Sequence, residues 1–285
     1  MRELTPILSE HGVDDLLHFI ERHPRLFVLT GAGCSTDSGI PDYRDSNGQW
    51  KHKQPVLYQD FVRSAYARQR YWARAMLGWR RFAQARPNTA HDALARLEAA
   101  GFVHQLVTQN VDGLHQRAGS RRVIDLHGRL DQVECLDCRT RWSRQVFQEE
   151  LEKRNPEFLN YEATPAPDGD MRLEDVAFER FDIPACTQCG GLLKPWVAFY
   201  GETVPRPRVE RAYQRLSEAD ALLVVGSSLM VYSGYRFCRA ASEQHKPQAA
   251  INIGRTRGDH ALLYKIAAPC GDTLQAVLDK LGIAG

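Results

Sequence analysis

Four of the chain's seven cysteines fall in two Cys-x-x-Cys pairs, Cys135/Cys138 and Cys186/Cys189. A two-residue turn points both sulfurs of a pair at one ion, so the two pairs can close a tetrahedron around a single Zn²⁺. Gly190 and Gly191 follow the second pair and let the backbone fold tightly there. A shell of four thiolates leaves no position for water, which makes such a zinc structural rather than hydrolytic. The long gap between the pairs marks the zinc unit as an insertion in a larger body. The other three cysteines, Cys34, Cys238 and Cys270, suggest no disulfide framework, and a reducing compartment fits them best.

A second set of chemically capable residues stands at the ends of short apolar runs. Leu26 to Leu29 ends in Thr30-Gly31, Val103 to Thr108 in Gln109-Asn110, and Val123 to Leu126 in His127-Gly128. Ala221 to Val225 ends in Gly226-Ser227-Ser228, and Ala250 to Ile253 in Gly254. Near-continuous apolar runs read as strands of a sheet covered on both faces. Helical patterns lie between them, for example Thr89 to Ala100 and Arg208 to Ser217. The expected fold is therefore α/β, a Rossmann-like parallel sheet with helices on both faces and a small inserted zinc module. Open sheets of this kind bind ligands at the C-terminal edge of their strands, so five polar tips reach one rim.

The loop Thr30-Gly31-Ala32-Gly33-Cys34-Ser35 follows the first run. Small residues let backbone amides approach a phosphate, and a following helix N-terminus would add its dipole. The third glycine of Gly-x-Gly-x-x-Gly arrives late, at Gly39, and no Gly-Lys-Ser/Thr follows as in a Walker A loop. On its own the loop is equally well a tight strand-to-helix turn. No acid follows at the ribose-binding distance of an ordinary Rossmann unit, which argues against a dehydrogenase.

The bulk properties exclude other classes. A net charge of +2 gives no general affinity for polyanions. The longest apolar run, Ala221 to Val225, is far too short to span a bilayer. The first twenty residues lack a long apolar core and carry Glu3, Glu10, Asp14 and Asp15, unlike a transit peptide. The expectation is a cytoplasmic protein, monomeric by preference, with no membrane or specific nucleic-acid partner; the alternative is the mitochondrial matrix, were a leader removed. The stretch Asn160 to Asp170, with two prolines and a glycine, reads as a loop inside the zinc insertion.

The longer run GAGCSTDSGIPDYR, Gly31 to Arg44, closely resembles the signature of the sirtuins, the NAD-dependent protein deacylases. TQNVDGLH (Thr108 to His115), Leu126-His127-Gly128, Gly226-Ser227-Ser228 and Asn252-Ile253-Gly254 resemble the family in the same chain order, and the Cys pairs fall where it carries zinc. Arg68 to Arg74, Ala166 to Asp170 and Val231 to Phe237 look like the animal mitochondrial class II sirtuin and its bacterial relatives. The resemblance implies an NAD-binding body over residues 1–130 and 194–285, with a helical insertion at about 45–86, and a zinc module over 131–193.

It also implies roles. Gly31, Ala32 and Gly33 would cradle the NAD diphosphate, with Gly226, Ser227 and Ser228 beside phosphate or ribose. Asn252, Ile253 and Gly254 would lie by the adenosine ribose, and Cys270 near the adenine. Asp42, Tyr43 and Arg44 belong to the loop that would close over the ribose. Gln109, Asn110, Val111 and Asp112 would serve the nicotinamide end, where an amide and a carboxylate suit a carboxamide. Read from residue types alone, Cys270 is an ordinary small buried residue and Asn110/Asp112 a polar turn. His127 takes the place of the sirtuin general base, with Asn110 the other catalytic residue. In that chemistry the acyl oxygen of an acyl-lysine attacks C1′ of the nicotinamide ribose and nicotinamide leaves. His127 then activates a ribose hydroxyl that attacks the imidate; the products are lysine, nicotinamide and O-acyl-ADP-ribose. NAD is a consumed co-substrate, Zn²⁺ the structural metal, and acyl-lysine proteins or peptides the partners. Mono-ADP-ribosyl transfer or lipoamide cleavage is the alternative activity, and a non-enzymatic NAD sensor the second.

Arg63 to Arg86 holds seven arginines and no acid, with Tyr66, Tyr71, Trp72, Trp79 and Phe82 interleaved. The commonest reading is an amphipathic helix with a solvated face, and nucleic acid is another. Tyr71 and Arg74, three apart on one helical face, resemble the Tyr-x-x-Arg pair of sirtuins that remove acidic acyl groups. The substrate segment, usually Lys-Pro-Asp-Val-Val-Phe-Phe-Gly in the family, here reads Lys194-Pro195-Trp196-Val197-Ala198-Phe199-Tyr200-Gly201. Val197 and Phe199 would flank the acyl tunnel, whose width the exchange to Ala198 puts in doubt.

Overall fold

The computed structural model describes residues 10–51, 55–161, 164–165, 171–173 and 176–283. The first nine residues and most of the Asn160 to Asp170 loop lie outside them, as does the Ala166 to Asp170 segment. Along the chain run α1 (Glu10–Arg22), β1 (Leu26–Thr30), α2 (Tyr58–Arg63), α3 (Ala65–Gln84), α4 (Thr89–Ala99), β2 (Val103–Thr108), α5 (Leu114–Arg117) and β3 (Val123–Asp125). There follow β4 (Gly128–Cys135), β5 (Arg141–Ser143), α6 (Arg144–Arg154), the two-residue β6 (Thr164–Pro165) and β7 (Met171–Arg172), and β8 (Leu193–Val197). The last elements are α7 (Arg206–Glu218), β9 (Ala221–Val225), α8 (Tyr232–Glu243), β10 (Gln248–Ile251), β11 (Tyr264–Ile266) and α9 (Cys270–Lys280). Among the described residues, no helix is long and apolar enough to cross a membrane.

Six strands form one sheet in the order β3-β2-β1-β9-β10-β11, every pair parallel. The period of two along β1 explains its two covers. Leu26 and Val28 face one way, into a core with Leu16, Phe19, Leu94 and Leu274 of α1, α4 and α9. Phe27 and Leu29 face the other, into a core with Leu216 and Phe237 of α7 and α8. Strand order reverses between β1 and β9, and at such a switch point the two following loops part to leave a crevice. Asn88 caps α4, accepting from the Ala90 N–H at 2.9 Å, and its Nδ2 donates to the Cys34 carbonyl at 2.9 Å. A helix cap worth about 1 kcal/mol thereby also ties α4 to the loop after β1.

Two features differ from the sequence reading. β10 covers Gln248–Ile251, two residues earlier than expected, so Asn252 and Ile253 lie past its end. Gln248 is tolerated in the core because its amide donates to Cys238 O and Ser242 Oγ. The edge strand β11 was not expected; it has only three residues, and two are half-buried.

In a second, antiparallel sheet, β5-β4-β8, Cys135 ends β4, Cys138 lies in the turn to β5, and Cys186 and Cys189 lie in the loop before β8. Its core joins Val133, Phe147, Phe158 and Leu193 to Phe61, Trp72 and Met76 of α2 and α3. The helical insertion therefore shares its buried face with the zinc-bearing sheet.

Candidate active site

A cavity of about 1340 Å³ opens at the C-terminal edge of the parallel sheet, over the switch point. That is larger than a drug-sized pocket and leaves room for a dinucleotide and a side chain together. Its walls include every residue expected at the cofactor and substrate sites except Asp112.

The loops after β1 and β9 touch along their backbones. Gly31 N–H donates to Val225 O at 3.1 Å and Gly33 N–H to Gly226 O at 2.8 Å. A Cβ on Gly31 would come within 2.7 Å of the Ser227 Cβ, and one on Gly226, whose φ is +62°, within 2.3 Å of Cys34 N. The glycines are thus required by loop-to-loop contact, and the amides of Gly31 and Gly33 are spent on protein carbonyls rather than left for a phosphate. The α-helix expected after the loop is absent as well. Two short 3₁₀ turns, Ala32–Cys34 and Thr36–Ser38, stand there, and Gly39 ends the second in the left-handed region.

Ser35 anchors Asn110 and Asp112. Its Oγ accepts from Asn110 Nδ2 at 2.9 Å and donates to Asp112 Oδ2 at 2.8 Å. Asn110 Nδ2 also reaches Gly31 O at 3.0 Å. The carboxylate of Asp112 takes the Leu114 N–H at 2.9 Å and stands behind the cavity wall. Burial raises its pKa, against those two bonds.

His127 sits just past β3 and lines the cavity. Its Nδ1 lies 2.8 Å from the Gln109 carbonyl, which can only accept, so Nδ1 carries the proton. Nε2 is left as the lone pair, 2.8 Å from Ser233 Oγ on α8. Burial, with Arg208 and Arg236 nearby, lowers the imidazole's pKa to about 4, the Gln109 bond opposing, so the ring is neutral at pH 7. Gln109 braces the far side too, its Oε1 accepting from Ser227 Oγ at 2.6 Å. Gly128 has φ +85°, and its α-carbon lies so close to β8 that a Cβ would come within 2.0 Å of Trp196 O. His127 O accepts from Ala198 N–H at 2.7 Å, so the end of β8 is fastened to the His127–Gly128 pair at both residues.

The loop bearing Asp42, Tyr43 and Arg44 folds over the mouth. Asp42 pairs with Lys51 at 2.6 Å, and the Arg44 guanidinium lies 4.0 Å over Trp50. Tyr43, Trp50 and Tyr200 pack edge to face. At the other end, Asn252 Nδ2 donates to Gly254 O at 2.8 Å, and Gly254 abuts Ser46 of the covering loop. Ile253 is 67% exposed beside them. Ser228 and Cys270 complete this wall. Burial pushes the Cys270 thiol up to about 12, so it stays protonated.

On the substrate side, Tyr71 packs against Phe61 and Phe199. Arg70, Arg74, Val197 and Phe199 line the same wall. The buried Lys194 ammonium holds the Val197 carbonyl and the Glu202 carboxylate, and Glu202 accepts from Phe199 N–H at 2.8 Å. Trp196 does not line the cavity; it is stacked between Arg141 at 4.1 Å and Arg208 at 4.8 Å. Arg208 also donates to Leu126 O at 2.9 Å, next to His127. Ala198, by contrast, is on the wall.

The four zinc-candidate cysteines converge, with all sulfurs within 4.8 Å of one another. Cys135 and Cys189 are 3.5 Å apart, Cys138 and Cys186 3.7 Å. A tetrahedron with Zn–S bonds of 2.3 Å has edges of about 3.8 Å, so the donor set fits Zn²⁺. Gly191 is needed there, since a Cβ would come within 2.1 Å of Asp137 Oδ2 and 2.9 Å of Cys135 Sγ.

Sequence reasoning missed Ser35, Ser233 and Arg70 as site residues. Ser233 lay in a quoted segment, Val231 to Phe237, but only the fold brings its hydroxyl to His127, 106 positions away.

Comparison with known proteins identifies the family. The Sir2 family model matches residues 31–233. An NAD-dependent protein deacetylase of Xanthomonas axonopodis pv. citri is 59% identical over 270 residues, covering 95% of this chain and 91% of that protein. The human NAD-dependent protein lipoamidase sirtuin-4, mitochondrial, is 48% identical over 276 residues, 96% of this chain and 88% of that one. A solved structure of Sir2 with a p53 peptide and NAD⁺ superposes with a TM-score of 0.76 at 28% identity, covering 95% of this chain and 99% of that chain. With the family model matching most of its length and relatives of this identity, the chain belongs to the Sir2 family.

Proposed function

We propose that this chain is an NAD-dependent protein lysine deacylase in which His127 Nε2 is the proton acceptor. The observation that carries this reading is the fixed tautomer: Gln109 O holds the proton on Nδ1 and leaves the Nε2 lone pair in the cavity. NAD would supply an electrophilic C1′, with nicotinamide as leaving group, and a hydroxyl for the acyl group to move to. Ala32, Ser227 and Ser228 would hold its diphosphate and ribose, with Gly31, Gly33 and Gly226 giving it room rather than amide donors. Asn252, Ile253, Gly254 and Cys270 would flank the adenosine, and Asn110 and Val111 the carboxamide. Asp42, Tyr43 and Arg44 would cover the bound molecule and keep water from competing.

His127 Nε2 then takes the proton of the attacking hydroxyl, releasing the Ser233 hydroxyl to another partner. A pKa near 4 is low for a base working at pH 7; burial is its chief cause, and an anionic diphosphate would raise it by countering the smaller contribution of Arg236, which lines the same cavity. The edge of β8 and the Phe199–Glu202 turn would pair with the peptide backbone. Acyl-lysine protein is the partner, and the cytoplasm the compartment.

The acyl end of the cavity carries Arg70, Tyr71 and Arg74, which favours carboxyacyl groups such as glutaryl over acetyl. Lipoyl-lysine belongs in the same comparison. O-acyl-ADP-ribose formation that requires acyl-peptide, and is lost in His127→Ala, supports deacylation. Label passing from NAD to protein instead would make the chain an ADP-ribosyltransferase, and binding without turnover would make it a sensor.

A further inference from the structure

Behind the Gly31–Ser35 loop, off the cavity wall, Cys34, His91 and His115 meet. Each is no more than 1% exposed. The Cys34 Sγ and one nitrogen of each imidazole lie within 4.8 Å of one another, and the ring centroids are 4.7 Å apart. The three residues come from the loop after β1, the first turn of α4, and α5.

Hydrogen bonding sorts the ring nitrogens. Thr30 Oγ1 donates to Thr108 Oγ1 at 2.8 Å, so toward His115 Nε2, 2.9 Å away, it accepts. Nε2 therefore carries the proton, and Nδ1 of His115 is a bare lone pair. That Nδ1 is buried with no hydrogen-bond partner among the described residues. His91 Nδ1 lies 2.9 Å from Asn88 Oδ1 and 3.3 Å from the Asn88 N–H, so Asn88 engages it in either tautomer, and Nε2 has only a 3.4 Å contact to Ser35 Oγ. An orphaned lone pair, a loosely held imidazole nitrogen and a buried thiol thus come together. Each imidazole is oriented from its far side by an oxygen, as metal-bound histidines are.

We infer that Cys34, His91 and His115 form a second metal site, separate from the four cysteines, that takes Zn²⁺ through one sulfur and two nitrogens. Occupation forms the Zn–S bond as the thiol proton leaves to buffer, and each imidazole binds neutral through one lone pair, so no further proton is released. The donors must close to about 3.5 Å of one another to reach bonding distance. That movement draws Cys34 and His91 inward, and Ser35 with them. Ser35 positions Asn110 and Asp112, so an occupied site slows turnover.

The test uses the intact protein carrying its one zinc, titrated with Co²⁺ in a non-chelating buffer. One further equivalent should bind with thiolate-to-cobalt charge-transfer absorption and no zinc release. Cys34→Ala, checked for unchanged circular dichroism and one retained zinc, should lose both the equivalent and the band; His91→Gln serves as the second variant, should Cys34→Ala fold poorly. Added Zn²⁺ should inhibit the wild type and spare Cys34→Ala. A wild type that binds no further metal overturns the inference. So does absorption matched by zinc release, or a second equivalent that survives both substitutions.

Discussion

Gly128→Ala tests how closely the catalytic histidine depends on the strand beside it. The residue keeps φ +85°, where a side chain costs about 1–2 kcal/mol. Its new Cβ would lie 2.0 Å from Trp196 O and 3.1 Å from the Val197 α-carbon. Reaching even a tight contact of 3.0 Å takes about 1 Å of backbone movement. β8 cannot give way alone, because Ala198 N–H is bonded to His127 O. A 1 Å misplacement of a reacting group costs about 10²-fold in rate, and overpacking adds about 1–3 kcal/mol of instability. The expected outcome is a fall in kcat/KM of about 100-fold on an acyl-lysine peptide, together with a lower Tm. Gly101→Ala is the matched control, with φ +92° and nothing within 4 Å of the added Cβ. It should lose about the same backbone term in stability and keep its kcat/KM. If Gly128→Ala keeps kcat/KM within about threefold of wild type, the proposed coupling between β8 and His127 is wrong.

Other outcomes follow from the same geometry. His127→Ala should lower single-turnover formation of O-acyl-ADP-ribose by about 10²–10⁴-fold, while the earlier nicotinamide release persists up to one equivalent per enzyme and zinc content stays at one, measured by quench-flow and metal analysis. Stability should decline on acidification from pH 6.5 toward 4, because His91 and His127, both lowered to about 4, stay neutral in the fold while the unfolded chain takes up protons. The slope is at most about 1.4 kcal/mol per pH unit for each, and urea titrations should show it flattened in His127→Ala. The acid limb of kcat, which reports the complex, should lie at higher pH than that of kcat/KM, which reports the free enzyme. Stripping zinc, or Cys138→Ala, should disable deacylation through the wall it supports; a zinc-free, folded protein working at full rate would refute that. Arg74→Ala should erase any preference for glutaryl-lysine over acetyl-lysine in kcat/KM, and a retained preference would sink that assignment.

Much of this site could be read from strand ends. Thr30-Gly31, Gln109-Asn110 and Gly226-Ser227 were legible because buried apolar runs stop where the sheet stops, and a parallel sheet gathers those ends. The four cysteines were legible because thiolate spacing around zinc is local. The reason for the glycines was not. Gly31 and Gly226 meet only across the switch point, a contact between residues 195 positions apart that no local pattern encodes. Ser233 escaped for the same reason, and so did the meeting of Cys34, His91 and His115. β10 was misplaced because Gln248 looks polar in sequence yet is satisfied in the core by Cys238 O and Ser242 Oγ. The role of Trp196 turned on its facing Arg141 and Arg208 rather than the cavity, which strand alternation alone does not reveal.

The central claim is acyl transfer to NAD with His127 as base, and mass spectrometry of one reaction addresses it most directly. The protein is incubated with NAD and a panel of acetyl-, glutaryl- and lipoyl-lysine peptides. Equal amounts of free lysine peptide, nicotinamide and O-acyl-ADP-ribose, absent in His127→Ala, are the expected products. Deacylation that proceeds without NAD, or without O-acyl-ADP-ribose, would contradict the account.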